Sequence, residues 1–560
     1  MRRRTLQWRR LLWLILVAIT VPGMTGAQDY PRYPALGSSF VPLDSWVYPA
    51  LEKLAALGYV STALVGLKPW TRTECARLTD EAGDALRQAL REDRHPEEQV
   101  VQLHAALERE FAYEIEALGG GRHRIFRLES VYARVMSLSG SPLTDGYHFG
   151  QTVSYDFGRP LRRGTNALVG SSFRTSGGPL ALYVRAEYQH APSAPPLSDA
   201  VRNVIALRDG VPLQPAQRFN PVGRMLLLDS YFSLNWKNWQ ISAGKQSLVW
   251  APGPGGSLLL SNNAEPIPML RLTRVVPFRP RSFLRFLGPM RMDQFVGRLH
   301  GHSFVPNPYF YGQKVSFKPV PSLELGFGRT VILGGRGGDP ITWVNFFRSF
   351  LGQSDPRTGG KPGDTRVGMD WTFYIPRTHH YIVFYGELFA DDDYLPVGNP
   401  KKNPFRPGLY LTRFPGLPKL DLHVEVTSTE VMGFRGRTQG ALNYTNFVYR
   451  DGYTYRGNLL GNTVGREGHA VQLWSNYSFS PRNILQFGFT HTRVNPDFIP
   501  GGGTWQDYNA RLEIHLRSGF YVKSFLQYEH IRKYPILFHG PVNNITASVE
   551  LGFAPEQGKP

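Results

Sequence analysis

Beyond residue 121 apolar and polar side chains alternate with a period of two, almost to the end of the chain. RLEIHLRSGFYVKSFLQYEH (511–530) puts Leu512, Ile514, Leu516, Phe520, Val522, Leu526 and Tyr528 on one face. Arg511, Glu513, His515, Arg517, Lys523, Gln527 and Glu529 fall on the other. That alternation predicts strands. SNYSFSPRNILQFGFTHT predicts a hairpin about Ser480–Asn483, and LLLDSYFSLNWKNWQISAGKQ one at Lys237–Asn238. ALYVRAEYQH and ASVELGF alternate likewise. From about Phe40 to Leu118 the period is helical instead. In VPLDSWVYPALEKLAALGYV, Asp44 stands where an N-cap belongs, Ala50, Leu51, Leu54 and Leu57 share a face, and Gly58 ends the helix. TRTE at 71–74 has the form of a capping box, with Thr71 as cap and Glu74 reaching back. Helix then runs through CARLTDEAGDALRQAL despite Gly83, and a third helix opens at Pro96 and closes at Gly119.

The start of the chain sets the environment of those strands. MRRRTLQWRR is basic, LLWLILVAIT is apolar, and MTGAQD offers small residues for cleavage after Ala27, the pattern of a secretory signal peptide. No later run reaches the ~20 apolar residues of a membrane helix. In an exported sandwich or propeller the polar face would meet water and the apolar face a second sheet. Long, many-fold, aromatic-rich alternation fits an outer-membrane barrel better, with apolar residues toward lipid and polar residues toward the lumen. The 34 Phe, 27 Tyr and 58 Gly support that choice. At ~10 residues per spanning strand plus loops, the region after the helices suits roughly 16–20 strands. NNITASVELGF puts Ile545, Ala547, Val549, Leu551 and Phe553 on one face, as a closing barrel strand would. The organisation expected is a signal peptide (1–27), an N-terminal helical periplasmic unit (28–120), an all-β transmembrane antiparallel barrel (121–553) and a C-terminal tail (554–560).

Charge and cysteine usage refine this. Removing a leader with five arginines and no acidic residue takes the net charge from +19 to +14. A basic mature chain favours acidic polymers or anionic lipid headgroups. Export and scattered arginines argue against nucleic acid. Cys75 is the one cysteine and is expected to be a small buried apolar group.

One segment stands apart from the strand rhythm. VWAPGPGGSLLLSNNAEPIPMLRLTR (249–274) sets a Pro/Gly run against Ser257–Leu260 and then turns polar at Ser261, Asn262, Asn263 and Glu265. With GKQSL before it, it resembles the signature segment of the capsule assembly Wzi family of outer-membrane proteins. VPLDSWVYPALEKLAALGYV resembles the helical region before that family's barrel. PNPYFYGQKVSFKPVPSLELGFGRTVILGGRG (306–337) resembles its strand and loop with a Leu-Glu-Leu-Gly core. The resemblance implies an 18-stranded barrel with periplasmic helices, a lectin holding capsular polysaccharide at the cell surface.

The residues themselves fit a sugar ligand in part. Prolines 252 and 254 stiffen the chain, and glycines 253, 255 and 256 let backbones approach. Ser257–Leu260 is expected to form a short apolar rung, with Asn262, Asn263 and Glu265 exposed beyond it, in a structured inward or surface loop rather than a spanning strand. Asparagine amides match vicinal hydroxyls, although the same residues also cap turns. Trp250 is a candidate stacking face or an interface anchor. Arg271, Arg274, Arg298, Arg329 and Arg336 gather around these segments, suited to carboxylates or to lipid headgroups. The candidate polysaccharide-binding residues are therefore Trp250, Asn262, Asn263, Glu265, Arg271, Arg274 and Arg298. The expected partners are an acidic capsular or extracellular polysaccharide and outer-membrane lipid, with the chain a monomer.

No catalytic or cofactor site is expected. His300 and His302 share a strand face without a third ligand, and Asp391–Asp393 reads as a solvated turn rather than a calcium loop. Glu387 points inward with Tyr385 and is expected to meet a lumenal arginine; His379–His380 reads as a hairpin turn. The competing function is a porin tethered through the helical unit, since Trp46, ALEKLAALGY and TRTE also resemble a single S-layer homology module. A polysaccharide hydrolase or lyase lacks a convergent acid/base pair.

Overall fold

The computed structural model describes residues 28–29, 35–121, 123–350, 363–376, 381–391, 403–431, 440, 442–533 and 541–555. The leader, His379–His380, Asp392–Asp393 and residues 556–560 of the tail lie outside them.

Eighteen antiparallel strands close into a barrel. The first, Arg124–Leu138, pairs with the second, Gly164–Gly177, and also with the last, Val542–Phe553, in a register joining Val131 to Phe553 and Leu138 to Thr546. Alternation dictates the wall. Val135, Val169, Phe232, Leu270, Phe487, Val549 and Leu551 are all exposed, the last at 59%, and face outward. Arg271, Asp293, Arg366, Arg406, Glu425 and Glu529 are wholly buried inside. A greasy exterior over a charged interior is the inverse of a water-soluble protein and is what lipid demands of a barrel. Aromatics gird the wall: Trp236, Phe373, Tyr477 and Phe520 toward one end, Tyr188, Tyr309, Tyr508 and Tyr528 toward the other. Tight turns join strands at the first end, among them Lys237–Asn238, both at positive φ (48° and 65°), which suits the twist of a two-residue hairpin. Long connections crowd the second end.

The helices sit at the short-turn end. α1 (Val47–Ala56), α2 (Arg72–Arg91), α3 (Glu98–Glu110) and α4 (Ala112–Leu118) pack around Leu51, Leu54, Trp70, Cys75, Leu78, Leu107 and Phe111. Cys75 is buried as expected, and burial pushes its thiol well above the usual range.

Three local expectations need correction. Asp44 does not cap α1; its carboxylate holds Arg185, a lumenal arginine, at 2.9 and 3.2 Å, while the Ser45 hydroxyl accepts from Val47 N–H at 3.3 Å. A buried guanidinium needs a carboxylate more than a helix start does. Thr71 caps α2 by accepting from Glu74 N–H at 3.1 Å, but the Glu74 carboxylate turns to Arg77 at 2.8 Å. The third expected helix breaks at Phe111, whose ring is buried under Arg72, giving α3 and α4.

Candidate functional site

The strand 382–391 starts the site. Its inward row carries Glu387, whose carboxylate accepts from the Ser257 hydroxyl at 2.8 Å and from the N–H groups of Leu258 and Leu259 at 2.7 and 3.1 Å. Arg406 on the next strand, 3.4 Å from Glu387, also donates to Glu425 at 2.8 Å and to the Pro252 carbonyl at 2.7 Å. The expected meeting of Glu387 with a lumenal arginine is thus present. Its main partner, however, is the segment after Trp250, folded back into the barrel.

That segment is an inward loop and not a spanning strand, as expected, but its apolar quartet forms no rung. Ser257–Leu260 forms a tight turn whose carbonyls at Leu258 and Leu259 accept from the hydroxyls of Tyr444 and Tyr453 at 2.7 and 2.8 Å. Asn462 Nδ2 donates to the carbonyls of Gly255 and Gly256 at 2.9 and 2.8 Å. The glycines are required here. A Cβ on Gly253 would overlap Tyr385 and Glu425, and one on Gly256, at φ 79°, would overlap Tyr155. Leu258, Leu259 and Leu260 pack with Trp250, Phe295, Phe310, Phe389, Tyr444, Tyr453 and Leu460 into an apolar cluster across the lumen.

The N-terminal unit meets this plug from below. Glu324, in the Leu-Glu-Leu-Gly core, accepts from the N–H groups of Val65 and Gly66 at 2.8 and 2.9 Å. Lys314 Nζ donates to the carbonyls of Gly66 (2.6 Å) and Trp250 (2.8 Å) and to Asp370 (2.5 Å), joining both halves. Lys68 and Val249 exchange backbone hydrogen bonds at 3.0 and 3.1 Å. Gly326 and Gly328 leave room for Asp370 and Leu259.

The expected site residues separate accordingly. Trp250 is 1% exposed in the apolar cluster, so it offers no stacking face. Asn263 and Glu265 are buried rather than exposed: Asn263 Nδ2 donates to the Leu459 carbonyl at 3.1 Å, and Glu265 pairs with Arg224 at 2.7 Å and Arg456 at 3.4 Å. Arg271 is locked to Asp293 at 2.7 and 2.8 Å. Arg274 lies at the short-turn end between Trp239 and Phe278. Asn262 is half-buried and donates to the Tyr155 carbonyl at 3.0 Å. Arg298 alone of the set is exposed, at the long-loop end beside Tyr309. In a barrel the polar residues are the inner core, so polarity does not mark an exposed contact.

Sequence reasoning missed two features. At the long-loop mouth Arg224 and Arg456 flank Glu265, and Lys245 lies within electrostatic reach of all three, leaving that group cationic and partly exposed. Only the pairing across folded loops reveals it. The second is a clasp. His148, in the first long connection, stands 2.7 Å from Asp145 and 3.0 Å from Asp209 at the end of α5 (Asp199–Asp209), and Arg466 also pairs with Asp209. Burial lowers the His148 pKa, but the two carboxylates outweigh it and push it up to about 9. Because the folded value exceeds the ordinary 6.5, the clasp stabilises fully below pH 6.5 and is lost as pH rises through about 9. Hydrogen exchange of α5, corrected for its intrinsic rate, should therefore quicken above that value, and His148→Gln should abolish the step. A flat profile in the unmodified chain would contradict the clasp.

His300 and His302 do not converge on a metal: His300 meets Asn307 at 2.9 Å and His302 the Thr454 carbonyl at 2.9 Å. No metal-holding cluster occurs among the described residues. Asp391 ends its strand facing Arg366 at 3.2 Å.

A sequence profile described as "Capsule assembly protein Wzi" matches residues 133–546. An uncharacterised 55.8 kDa protein in the cps region of Klebsiella pneumoniae is 30% identical over 168 residues, 29% of this chain and 33% of that one. The match therefore spans a third of that relative's length. Among solved structures, Wzi of Escherichia coli superposes with a TM-score of 0.65 at 18% identity, covering 93% of this chain and 99% of the other. That protein is described as an outer-membrane protein involved in group 1 capsule assembly and a carbohydrate-binding β-barrel.

Proposed function

From the premise that the chain belongs to the capsule assembly protein Wzi family of outer-membrane barrels, we propose that it attaches acidic capsular or extracellular polysaccharide to the cell surface. The observation that carries this reading is a lumen filled by its own loops beneath a cationic mouth. Glu387, Arg406, Lys314 and Asn462 hold the plug in the barrel, so its weight falls against a diffusion pore. Half-buried Arg224 and Lys245 and exposed Arg456 around Glu265, with exposed Arg298 on the same end, supply cations to a polyanion. The long-loop end then faces outward and the helices face the periplasm, as short periplasmic turns and long external loops require. Carbohydrate binding by the Escherichia coli barrel supports the same reading.

Purified protein should bind an acidic polysaccharide with an affinity that falls as salt rises, because exposed charges are screened beyond about 10 Å at 0.1 M. The double variant Arg224→Gln/Arg456→Gln should bind about tenfold more weakly, the loss of exposed charge-assisted contacts. Binding that ignores both salt and the double substitution would overturn this contact surface.

A further inference from the structure

Between the plug and the helical unit lies a chamber of about 540 Å³, within the size range of ligand sites (about 300–1,000 Å³). Its roof is the underside of the signature segment, at Gly253, Pro254, Gly256 and Asn262; its floor is α1 and α3. Exposed Gln102, Lys419 and Phe479 line it at the short-turn end.

The chamber wall has an ordered chemistry. Cross-strand register sets Asp421, Asn476, Gln486, Arg511 and Phe525 in one row, each opposite the next. Gln486 Nε2 donates to Asn476 Oδ1, and Asn476 Nδ2 to Asp421, both at 2.7 Å. Two residues from Asn476 on the same face stands half-buried Trp474, paired with Gly488, over which the Asn509 amide lies.

Charge decides what would fit. Five of the chamber's six carboxylates are committed to cations, Asp44 to Arg185, Glu52 to Lys68, Asp156 to Arg134 and Arg159, Asp421 to Lys53 and Glu513 to Lys523, while Glu550 accepts from the Tyr521 hydroxyl at 3.4 Å. Arg511 lies over the Phe525 ring and is exposed to the chamber; among the described residues it has no ion pair within 4 Å, with Glu513, Asp156 and Glu550 at longer electrostatic range. A guanidinium left open beside a row of amides and an indole is a recognition set for a sugar carrying a carboxylate. Two strand spacings, about 10 Å, separate the strand of Arg511 from that of Trp474, which is the span of a disaccharide unit rather than of one ring.

We propose that this chamber is a second carbohydrate site, open toward the helical end, that takes a carboxylated oligosaccharide with Arg511 on the carboxylate and Trp474 against a ring. The proposal deepens the polysaccharide reading and rests on it for the ligand class, but it uses residues remote from the mouth cations. It gives the signature segment a second role, since the same turn that closes the lumen roofs the site.

The test uses full-length protein in detergent, with trigalacturonate as probe and maltotriose as its neutral counterpart. In the Arg224→Gln/Arg456→Gln background, which silences the mouth, trigalacturonate should still bind at least about tenfold more tightly than maltotriose, Arg511→Gln added there should erase that margin, and Arg511→Lys should restore part of it. Trp474→Phe should remove the ligand-dependent change in tryptophan fluorescence while leaving heat-modifiable migration of the barrel intact. Equal binding of the two sugars, or full trigalacturonate affinity in Arg511→Gln, would overturn the assignment. Cells that fail to retain long polymer although trigalacturonate still binds would sink surface attachment and spare the chamber; the reverse pair of results would sink the chamber alone.

Discussion

Replacing Glu387 with leucine should open a barrel that is otherwise silent in planar bilayers. The carboxylate is buried and accepts three hydrogen bonds from Ser257, Leu258 and Leu259. Leucine removes every acceptor: the Leu258 N–H is stranded in a dry site, Leu259 N–H keeps only the Ser257 hydroxyl and that hydroxyl only the Trp250 carbonyl, and Arg406 is left with Glu425 and the Pro252 carbonyl. Losing one partner of such a buried charged network costs about 3–5 kcal/mol. The wall itself is held by backbone pairing, so the loss falls on the plug. Intermittent conductance steps, absent from the unmodified protein, are the expected result, and Glu387→Gln should give fewer because one acceptor oxygen survives. A barrel equally silent in both variants would show that Glu387 does not pin the plug.

Lys314→Met is expected to have the second-largest effect, and on a different element. One ammonium ties the Gly66 carbonyl of the N-terminal unit to the Trp250 carbonyl of the plug and to Asp370 on the wall. Methionine fills the space but donates nothing, leaving the Gly66 carbonyl and the Asp370 carboxylate uncompensated and the Trp250 carbonyl with only the Ser257 hydroxyl at 3.4 Å, again about 3–5 kcal/mol. Glu324 still holds Val65 and Gly66, so the helices should stay attached but fluctuate at residues 61–70. Limited proteolysis should then cut that stretch many times faster than in the unmodified chain. Unchanged cleavage would mean that Glu324 and the Lys68–Val249 pairing suffice.

The wall was legible in sequence because a two-residue period maps directly onto a two-faced strand. The face containing Leu512, Leu526 and Tyr528 is exposed to lipid, and that of Arg511, Glu513 and Lys523 lines the lumen. The turns at Lys237–Asn238 and Ser480–Asn483 are local, and both form as read. The plug was not legible because its partners are distant in the chain: Glu387 lies 130 residues from Ser257 and Tyr444 lies 186 from Leu258. Asn263 and Glu265 read as exposed ligands, since polar residues usually sit at a surface. Inside a barrel that rule reverses. Arg271 misled for a related reason, because sequence shows its charge but not Asp293 beside it. The Wzi resemblance drew out the segment that fills the lumen and left open which way it faces.

Surface polymer in a deletion strain tests the central claim most directly. Without the protein, total polysaccharide should be unchanged while the bound fraction falls and polymer appears in the medium; the unmodified gene should restore retention. Undiminished cell-bound polymer in the deletion strain would contradict attachment as the function.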